Sequence, residues 1–216
     1  MWDGDGLVNA MQEKGPRARV RWGRPAPYRG WAGEVFRWVS AAYLWAAGWT
    51  VAGDWPPLAK AVLVAAPHTS NWDAVNMLAA AGYYRVTLRW MGKASLTQGP
   101  FGWLIRALGC VPVDRSMRHD MVGALAAAFG ACDAMVLAVP PEGTRGAVRV
   151  WKSGFYHIAR LAGVPIMLAV MDYGAKRVGI AGVFQPTGDY DADLAAIRGY
   201  YRGAVGLRPE GFVAGA

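Results

Sequence analysis

The chain is poor in cysteine, with only Cys110 and Cys132 among its 216 residues. Two cysteines cannot build a disulfide framework, and their spacing fits no common zinc-binding pattern. We therefore expect both to be reduced and structural. Cys110 lies in an apolar, strand-like run, which favours a packing role over a reactive one.

Charged residues are also scarce, at 18%, whereas hydrophobic residues make up 54% of the chain. This composition excludes an intrinsically disordered protein and provides enough apolar surface for one domain with a core. No apolar segment follows the N-terminal arginines at the distance that a signal peptide requires. We therefore expect the active part of the chain to face the cytoplasm.

Acidic residues are fewer than basic ones, 15 against 23, so the formal net charge is +8. A basic balance favours an anionic partner, which can be nucleic acid, an anionic membrane surface or a phosphorylated substrate. The 11 tryptophans favour the membrane, because Trp concentrates where one end of a side chain is apolar and the other is wet.

The N-terminal region divides into two parts. Residues 1–29 are polar, basic and rich in Gly and Pro, which is typical of a loose arm, and the next charge after Arg37 is Asp54. A helix of the 16 uncharged residues between them would be about 24 Å long, shorter than the roughly 30 Å of a hydrocarbon core. We predict a basic arm and an amphipathic Trp-rich helical segment over residues 1–58, followed by the main folded domain over 59–216.

Tryptophan recurs along this helical segment. Trp31, Trp38 and Trp45 are spaced by seven residues, and Trp49 follows one turn later, which predicts a Trp stripe on one helix face. One interpretation is a helix in the membrane interface, with the upstream arginines near anionic headgroups. The other is a core helix that packs on the domain.

From residue 60 onward, apolar runs alternate with helix-like stretches, which predicts an α/β fold with a central, mostly parallel sheet flanked by helices. The helix that begins near residue 72 has Ser70 or Asn71 as its candidate cap. The predicted strands are 61–66, 86–91, 110–113, 134–139, 166–171 and 178–184. The predicted helices are 72–83, 101–108, 120–131, 153–162 and 191–203.

The first candidate functional motif is PHTSNWD at residues 67–73, directly after a predicted strand. Ligands of open α/β sheets gather at the carboxyl ends of strands, and a histidine there can exchange protons at neutral pH. With His68 in the turn and Asp73 in the first helical turn, the carboxylate can fix the tautomer of the ring. The alternative is a solvent-exposed histidine next to the start of a helix. In that case the Asp73 carboxylate only interacts favourably with the positive end of the helix dipole.

Two further strand ends carry polar groups, PPEGTR at residues 140–145 and GCVPVDR at residues 109–115. The first offers turn amides and the Arg145 guanidinium, which suit a phosphate or a carboxylate. Each motif alone is typical of an ordinary surface turn or ion pair. Three polar strand ends together favour a functional site.

Four blocks, in order, resemble the motifs of the glycerolipid acyltransferases, the family that includes 1-acylglycerol-3-phosphate acyltransferase. PHTSNWD is similar to the family's HX4D motif, GCVPVDR to its second block, PEGTR to its third and residues 164–166, VPI, to its fourth. The run from Lys93 to Arg115 is similar to the family throughout, and the resemblance covers roughly residues 61–184. It implies an O-acyltransferase.

The resemblance implies His68 as the general base and Asp73 as its orienting partner. The hydroxyl of a lysophospholipid such as 1-acylglycerol-3-phosphate would attack the thioester of acyl-CoA or acyl-carrier protein, with no covalent acyl-enzyme, bound cofactor or metal. Arg115 and Arg145 would hold the acceptor's phosphate. The other residues implied in substrate binding are Glu142, Gly143, Thr144, Lys93 and Lys152.

Some positions depart from the family pattern, notably Pro67, Pro140 and the run Met167-Leu168-Ala169. The last departure keeps a second acceptor class open, in which the same chemistry acylates a specialised metabolite, an amino lipid or a glycolipid. A third hypothesis is a non-catalytic protein that binds anionic lipid or nucleic acid through its basic arm. The four blocks favour the enzyme at the cytoplasmic face of a membrane, peripheral or monotopic, with no nucleic acid partner.

Overall fold

The computed structural model describes residues 30–113, 121–143 and 151–212, and seven strands form one sheet within them. The strand order is β1-β7-β6-β2-β5-β3-β4. Five strands, from β6 across to β4, are mutually parallel, whereas β7 runs antiparallel to β6 and pairs in parallel with β1. The strands are β1 (Thr50–Ala52), β2 (Lys60–Ala66), β3 (Leu88–Lys93), β4 (Cys110–Val113), β5 (Met135–Val139), β6 (Ile166–Asp172) and β7 (Arg177–Phe184).

Helices cover both faces of this sheet, so its central strands are apolar at every position rather than alternately. Val62 and Val64 of β2 face the core beneath the later helices, and Ala61 and Leu63 face the core beneath the helix that follows β2. The helices are α1 (Gly30–Ala46), α2 (Trp72–Tyr83), α3 (Gly102–Ala107), α4 (Met121–Gly130), α5 (Gly154–Ala162) and α6 (Tyr190–Gly199).

Helix α1 packs against α2 at a place where only glycine fits. A Cβ added to Gly82 would overlap the Ser40 hydroxyl and the Phe36 ring. A salt bridge of 3.1 Å between Arg85 Nη1 and Glu34 Oε1 ties the end of α2 to the start of α1. The inner face of α1 is therefore part of the folded unit.

The outer face of α1 carries the tryptophan stripe. Trp31, Trp38 and Trp45 are 83%, 66% and 77% exposed, and Val35 and Val39 beside them are also exposed. None of the helices in the described part of the chain combines the length and the hydropathy that a membrane span requires.

Trp49 was wrongly predicted to continue the stripe. Helix α1 ends at Ala46, and Trp49 turns inward, where it is 7% exposed and meets the Tyr173 ring edge-on at 4.8 Å. Helix α1 therefore packs on the domain as the second interpretation expects, and its three exposed tryptophans leave contact with a membrane as a prediction.

The predicted fold class is confirmed, with local differences in the elements. Strand β3 begins two residues later than predicted, at Leu88, and the last helix ends at Gly199 rather than at residue 203. Strand β1 was not predicted. The cap of α2 comes from Ser70, whose hydroxyl accepts the Trp72 amide at 3.0 Å, while Asn71 holds the N-cap position without a side-chain cap bond.

Candidate active site

The carboxyl ends of the five parallel strands lie at one edge of the sheet, and the polar motifs follow them. His68 comes after the central strand β2, and Glu142 comes after its neighbour β5. Lys93 ends β3, the next strand outward, and Tyr173 follows β6 on the other side of β2. The strand order therefore collects these residues around His68.

His68 and Asp73 meet as predicted. The Nδ1 atom of His68 lies 3.4 Å from Asp73 Oδ2, which is long for a hydrogen bond. The His68 side chain is 25% exposed and that of Asp73 is 2% exposed. A partly open imidazole backed by a buried carboxylate is an arrangement that can remove a proton from an incoming hydroxyl.

The carboxylate of Asp73 also organises the loop before α2. Its Oδ2 accepts the backbone amides of Thr69 at 2.6 Å and Ser70 at 2.7 Å. Burial alone would raise the pKa of Asp73, but hydrogen bonds from His68, Tyr173 and the Ser70 amide outweigh it, so the pKa is lowered. Asp73 is therefore held ionised, and the two amides it binds are not free to stabilise an oxyanion.

Residues outside the predicted set extend this site. The Tyr173 hydroxyl donates to Asp73 Oδ1 at 2.7 Å, and Asn76 Nδ2 donates to the Tyr173 hydroxyl at 3.0 Å. The Tyr43 hydroxyl, on the inner face of α1, donates to Asn76 Oδ1 at 2.9 Å. Sequence reasoning missed all three residues, although Tyr173 directly follows a predicted strand and could have been found as another polar strand end.

Glu142 was predicted as a substrate-binding residue, and its carboxylate supports the His68 loop. Its Oε1 accepts the His68 amide at 3.1 Å, and the residue is 1% exposed. Burial raises the pKa of Glu142 to about 7, against a weaker lowering by the His68 amide. Among the described residues, no partner lies within hydrogen-bonding distance of the other oxygen, Oε2.

Gly143 and Lys152 adjoin Glu142. Gly143 has φ +65°, which favours glycine, and a Cβ there would lie 2.6 Å from the Lys152 side chain. The Lys152 amide donates to the Pro141 carbonyl at 2.8 Å, so the lysine is fixed beside the turn. Lys93 is exposed at the end of β3. The remaining predicted residues, Arg115, Thr144 and Arg145, lie outside the described part of the chain.

A segment late in the chain supports the histidine loop from the other side. The Arg208 amide donates to the Thr69 hydroxyl at 3.2 Å, and the Val205 amide donates to Asp172 Oδ1 at 3.1 Å. A Cβ on Gly206 would lie 2.7 Å from Cγ2 of the fully buried Thr69. The loop is therefore clamped between Asp73 and this segment.

Within residues 30–113, 121–143 and 151–212, no group of three or more His, Cys, Asp or Glu side chains is placed to hold a metal ion. The buried Asp73 carboxylate and the partly exposed His68 ring form a pair suited to proton transfer, and Lys152 lies beside the neighbouring turn.

Comparisons with known proteins bear on the family and the fold of the chain. The family model described as acyltransferase matches residues 50–171. A crystal structure of the 1-acyl-sn-glycerophosphate (LPA) acyltransferase PlsC from Thermotoga maritima is similar in fold, with a TM-score of 0.58 and 19% sequence identity. The alignment covers 79% of this chain and 78% of that one. No curated protein sequence matches the chain.

Proposed function

Because the chain belongs to the acyltransferase family, we propose that it transfers an acyl group from acyl-CoA or acyl-carrier protein to the hydroxyl of a lysophospholipid such as 1-acylglycerol-3-phosphate. The observation that carries this proposal is the His68–Asp73 pair at the carboxyl end of the central strand. The acceptor class is supported by the fold likeness to PlsC, whose own substrate is an acylglycerophosphate.

His68 acts in this proposal as the general base. Asp73 accepts from Nδ1–H and so leaves Nε2 free to take the proton of the acceptor hydroxyl. The hydroxyl oxygen then attacks the thioester carbonyl, and the carbon–sulfur bond breaks as the tetrahedral intermediate collapses. The proton passes from Nε2 to the leaving thiolate, so the reaction needs neither a covalent acyl-enzyme nor a bound cofactor.

Positive side chains around this edge suit a phosphorylated acceptor. Lys93 lies at the end of β3 and Lys152 lies against the Glu142–Gly143 turn. Arg115 and Arg145 lie outside the described residues, and we assign them to the phosphate grip because each follows in sequence a strand that ends here.

The outer face of α1 is proposed to rest on an anionic lipid surface at the cytoplasmic face of a membrane. Three exposed tryptophans on one face match the amphipathic side chains of the interfacial layer. The net charge of +8 favours anionic headgroups over zwitterionic ones. A peripheral location also brings the site to an acceptor that is itself a lipid.

The departures that motivated a non-glycerolipid acceptor lie in strand β6. Met167 and Leu168 are fully buried there and pack in the two cores that flank the sheet. Ala169 lines an apolar cavity beneath α2, so a non-glycerolipid acceptor stays the second candidate.

The test compares His68→Ala and Asp73→Asn with the wild-type chain. Each variant is given acyl-CoA, and separately acyl-carrier protein, with 1-acylglycerol-3-phosphate, and thioester loss and phosphatidate are both measured. General acid–base catalysis contributes about 10²- to 10⁴-fold, so both variants should lose at least about 10²-fold in rate.

His157→Ala is the matched control, because His157 is an exposed histidine on α5 whose ring stacks on Tyr190. It should keep the wild-type rate. Full turnover by His68→Ala would refute the role of His68 as general base. If the wild-type chain turned over monoacylglycerol as fast as 1-acylglycerol-3-phosphate, the proposal of a phosphorylated acceptor would be refuted.

A further inference from the structure

A continuous line of hydrogen bonds runs from α1 to the His68–Asp73 pair. It begins at Tyr43 on α1, passes through Asn76 on α2 and Tyr173 after β6, and ends on Asp73. The three bonds measure 2.9, 3.0 and 2.7 Å. The end residues, Tyr43 and Asp73, are separated by 30 positions in the sequence, and Tyr173 is a further 100 positions beyond Asp73, so only the folded chain forms this line.

The direction of every bond in this line is fixed. Asp73 is ionised and can only accept, so the single proton of the Tyr173 hydroxyl points at it. The Tyr173 oxygen must then accept from the Asn76 amide group, which turns the Asn76 carbonyl toward Tyr43. All donors therefore point toward the carboxylate, and bonds aligned in one direction polarise and strengthen one another.

The protein surroundings of these hydrogen bonds make each of them stronger than the same bond would be in water. Asn76 is 3% exposed, and the Tyr173 ring is held edge-on by Trp49. The titratable groups that act on the dyad are Glu142, through the His68 amide, and Tyr173, through Asp73 Oδ1. Because both oxygens of the Asp73 carboxylate accept hydrogen bonds, this carboxylate has little freedom to rotate away from His68.

We propose that Tyr173, Asn76 and Tyr43 are positioning residues of the active site, and that through them the inner face of α1 holds Asp73 ionised and aimed at His68. This inference rests on the proposed function of the His68–Asp73 pair. It gives α1 a role beyond contact with lipid, because the helix that carries the tryptophans also supplies the outermost donor.

Tyr173→Phe removes the hydroxyl and keeps the ring that packs on Trp49. Without that donor, Asp73 becomes the more basic carboxylate and binds the protonated form of His68 more strongly. Since a general base must be unprotonated, the acid limb of the kcat/KM profile should move to higher pH.

The test uses the full chain and two readouts, of which one needs no substrate. Histidine side-chain NMR titrations follow the three histidines, with His68→Ala and His157→Ala used to assign their signals. In Tyr173→Phe, the midpoint of the His68 titration should lie at higher pH than in the wild type. Tyr43→Phe, two bonds further away, should give a smaller rise in the same direction.

The second readout is steady-state turnover of acyl-CoA. Tyr173→Phe should lower kcat about 10-fold and leave KM for the thioester within about twofold, since no proposed substrate contact is lost. In the double variant with Tyr43→Phe, the loss should be less than the product of the two single losses, because both act through the same line.

Tyr84→Phe is the matched control. The Tyr84 hydroxyl is within 2.9 Å of the Ala52 and Gly53 carbonyls, so this variant also loses a tyrosine hydrogen bond without touching the line. It should leave the His68 midpoint and the acid limb unchanged. An unchanged His68 midpoint in Tyr173→Phe would overturn the inference, whereas a shifted midpoint in a chain that turns over no thioester would leave it standing and overturn the proposed function.

Discussion

At the scale of single residues, Glu142 has a carboxyl whose charge changes near neutral pH. Burial brings its pKa to about 7, whereas the same carboxyl in an unfolded chain has a value near 4.5. In the folded protein the neutral form is therefore favoured at mildly acidic pH. The protonated carboxyl keeps an oxygen that can accept the His68 amide.

Replacing this carboxyl should change how stability depends on pH. Between about pH 4.5 and pH 7 the folded chain retains a proton at Glu142 that the unfolded chain has lost, so stability falls as pH rises through this window. Glu142→Gln keeps an acceptor for the His68 amide but cannot titrate. From pH 5 to pH 8, the wild type should lose up to about 3 kcal/mol relative to this variant, measured by urea unfolding.

Glu210→Gln provides the control, because Glu210 is an exposed glutamate in the segment after α6. Its stability should follow the wild type across the same pH range. Identical pH dependence in the wild type and in Glu142→Gln would show that the folded chain holds Glu142 at its ordinary pKa.

The residues of the candidate site were predictable where their contacts are local. His68 and Asp73 are five positions apart in one turn and one helix start, so their meeting follows from the strand–turn–helix pattern of PHTSNWD. The Glu142 bond spans 74 positions and the Tyr173 bond spans 100, and no local pattern fixes contacts of that range. The family resemblance identified Glu142 as a site residue, but no sequence pattern identified the His68 amide as its hydrogen-bond partner.

At the scale of elements, the contact between α1 and α2 depends on the absence of a side chain at Gly82. Alanine favours a helix more than glycine does, yet its Cβ would overlap Ser40 and Phe36 on the facing helix. Gly82→Ala should therefore lower the free energy of unfolding by about 1–3 kcal/mol, the usual cost of overpacking, and speed tryptic cleavage at Arg37 on α1.

Gly130→Ala tests the same substitution without the clash. Gly130 ends α4, and a Cβ there meets nothing within 4 Å. This variant should keep wild-type stability and wild-type cleavage at Arg37. If Gly82→Ala were equally stable and equally resistant, α1 would not be packed tightly on α2.

The elements themselves were predictable to the extent that their composition is distinctive. Long apolar runs such as β2 and helix starts with a polar cap such as α2 were found within a residue of their observed bounds. Strand β1 has only three residues, Thr50–Ala52, and it forms through backbone pairing with β7. Trp49 was misassigned for a related reason, since helical periodicity does not reveal where a helix stops.

At the scale of the whole molecule, charge and the tryptophan face should contribute separately to lipid binding. Raising the salt concentration from about 0.05 to 0.5 M screens the +8 net charge and should weaken binding to anionic vesicles. Replacing Trp31, Trp38 and Trp45 together by Ser should reduce vesicle binding about 10-fold or more at every salt concentration, because buried apolar area is lost. Vesicle sedimentation measures both effects.

A control triple variant replaces Leu161, Val183 and Leu207 by Ser, all of which are exposed apolar residues outside α1. It should bind vesicles as the wild type does. Equal loss in both triple variants would assign the binding to general surface hydrophobicity, and no loss in either would leave charge as its sole source.

The clamp on Thr69 also bears on the order in which the working site is made during protein synthesis. The ribosome adds His68 and Asp73 more than 130 positions before Gly206 and Arg208, which close over Thr69. A nascent chain that has reached Asp73 but not Arg208 therefore lacks this support of the histidine loop. The loop is expected to reach its final packing only after the later segment has left the ribosome and folded back.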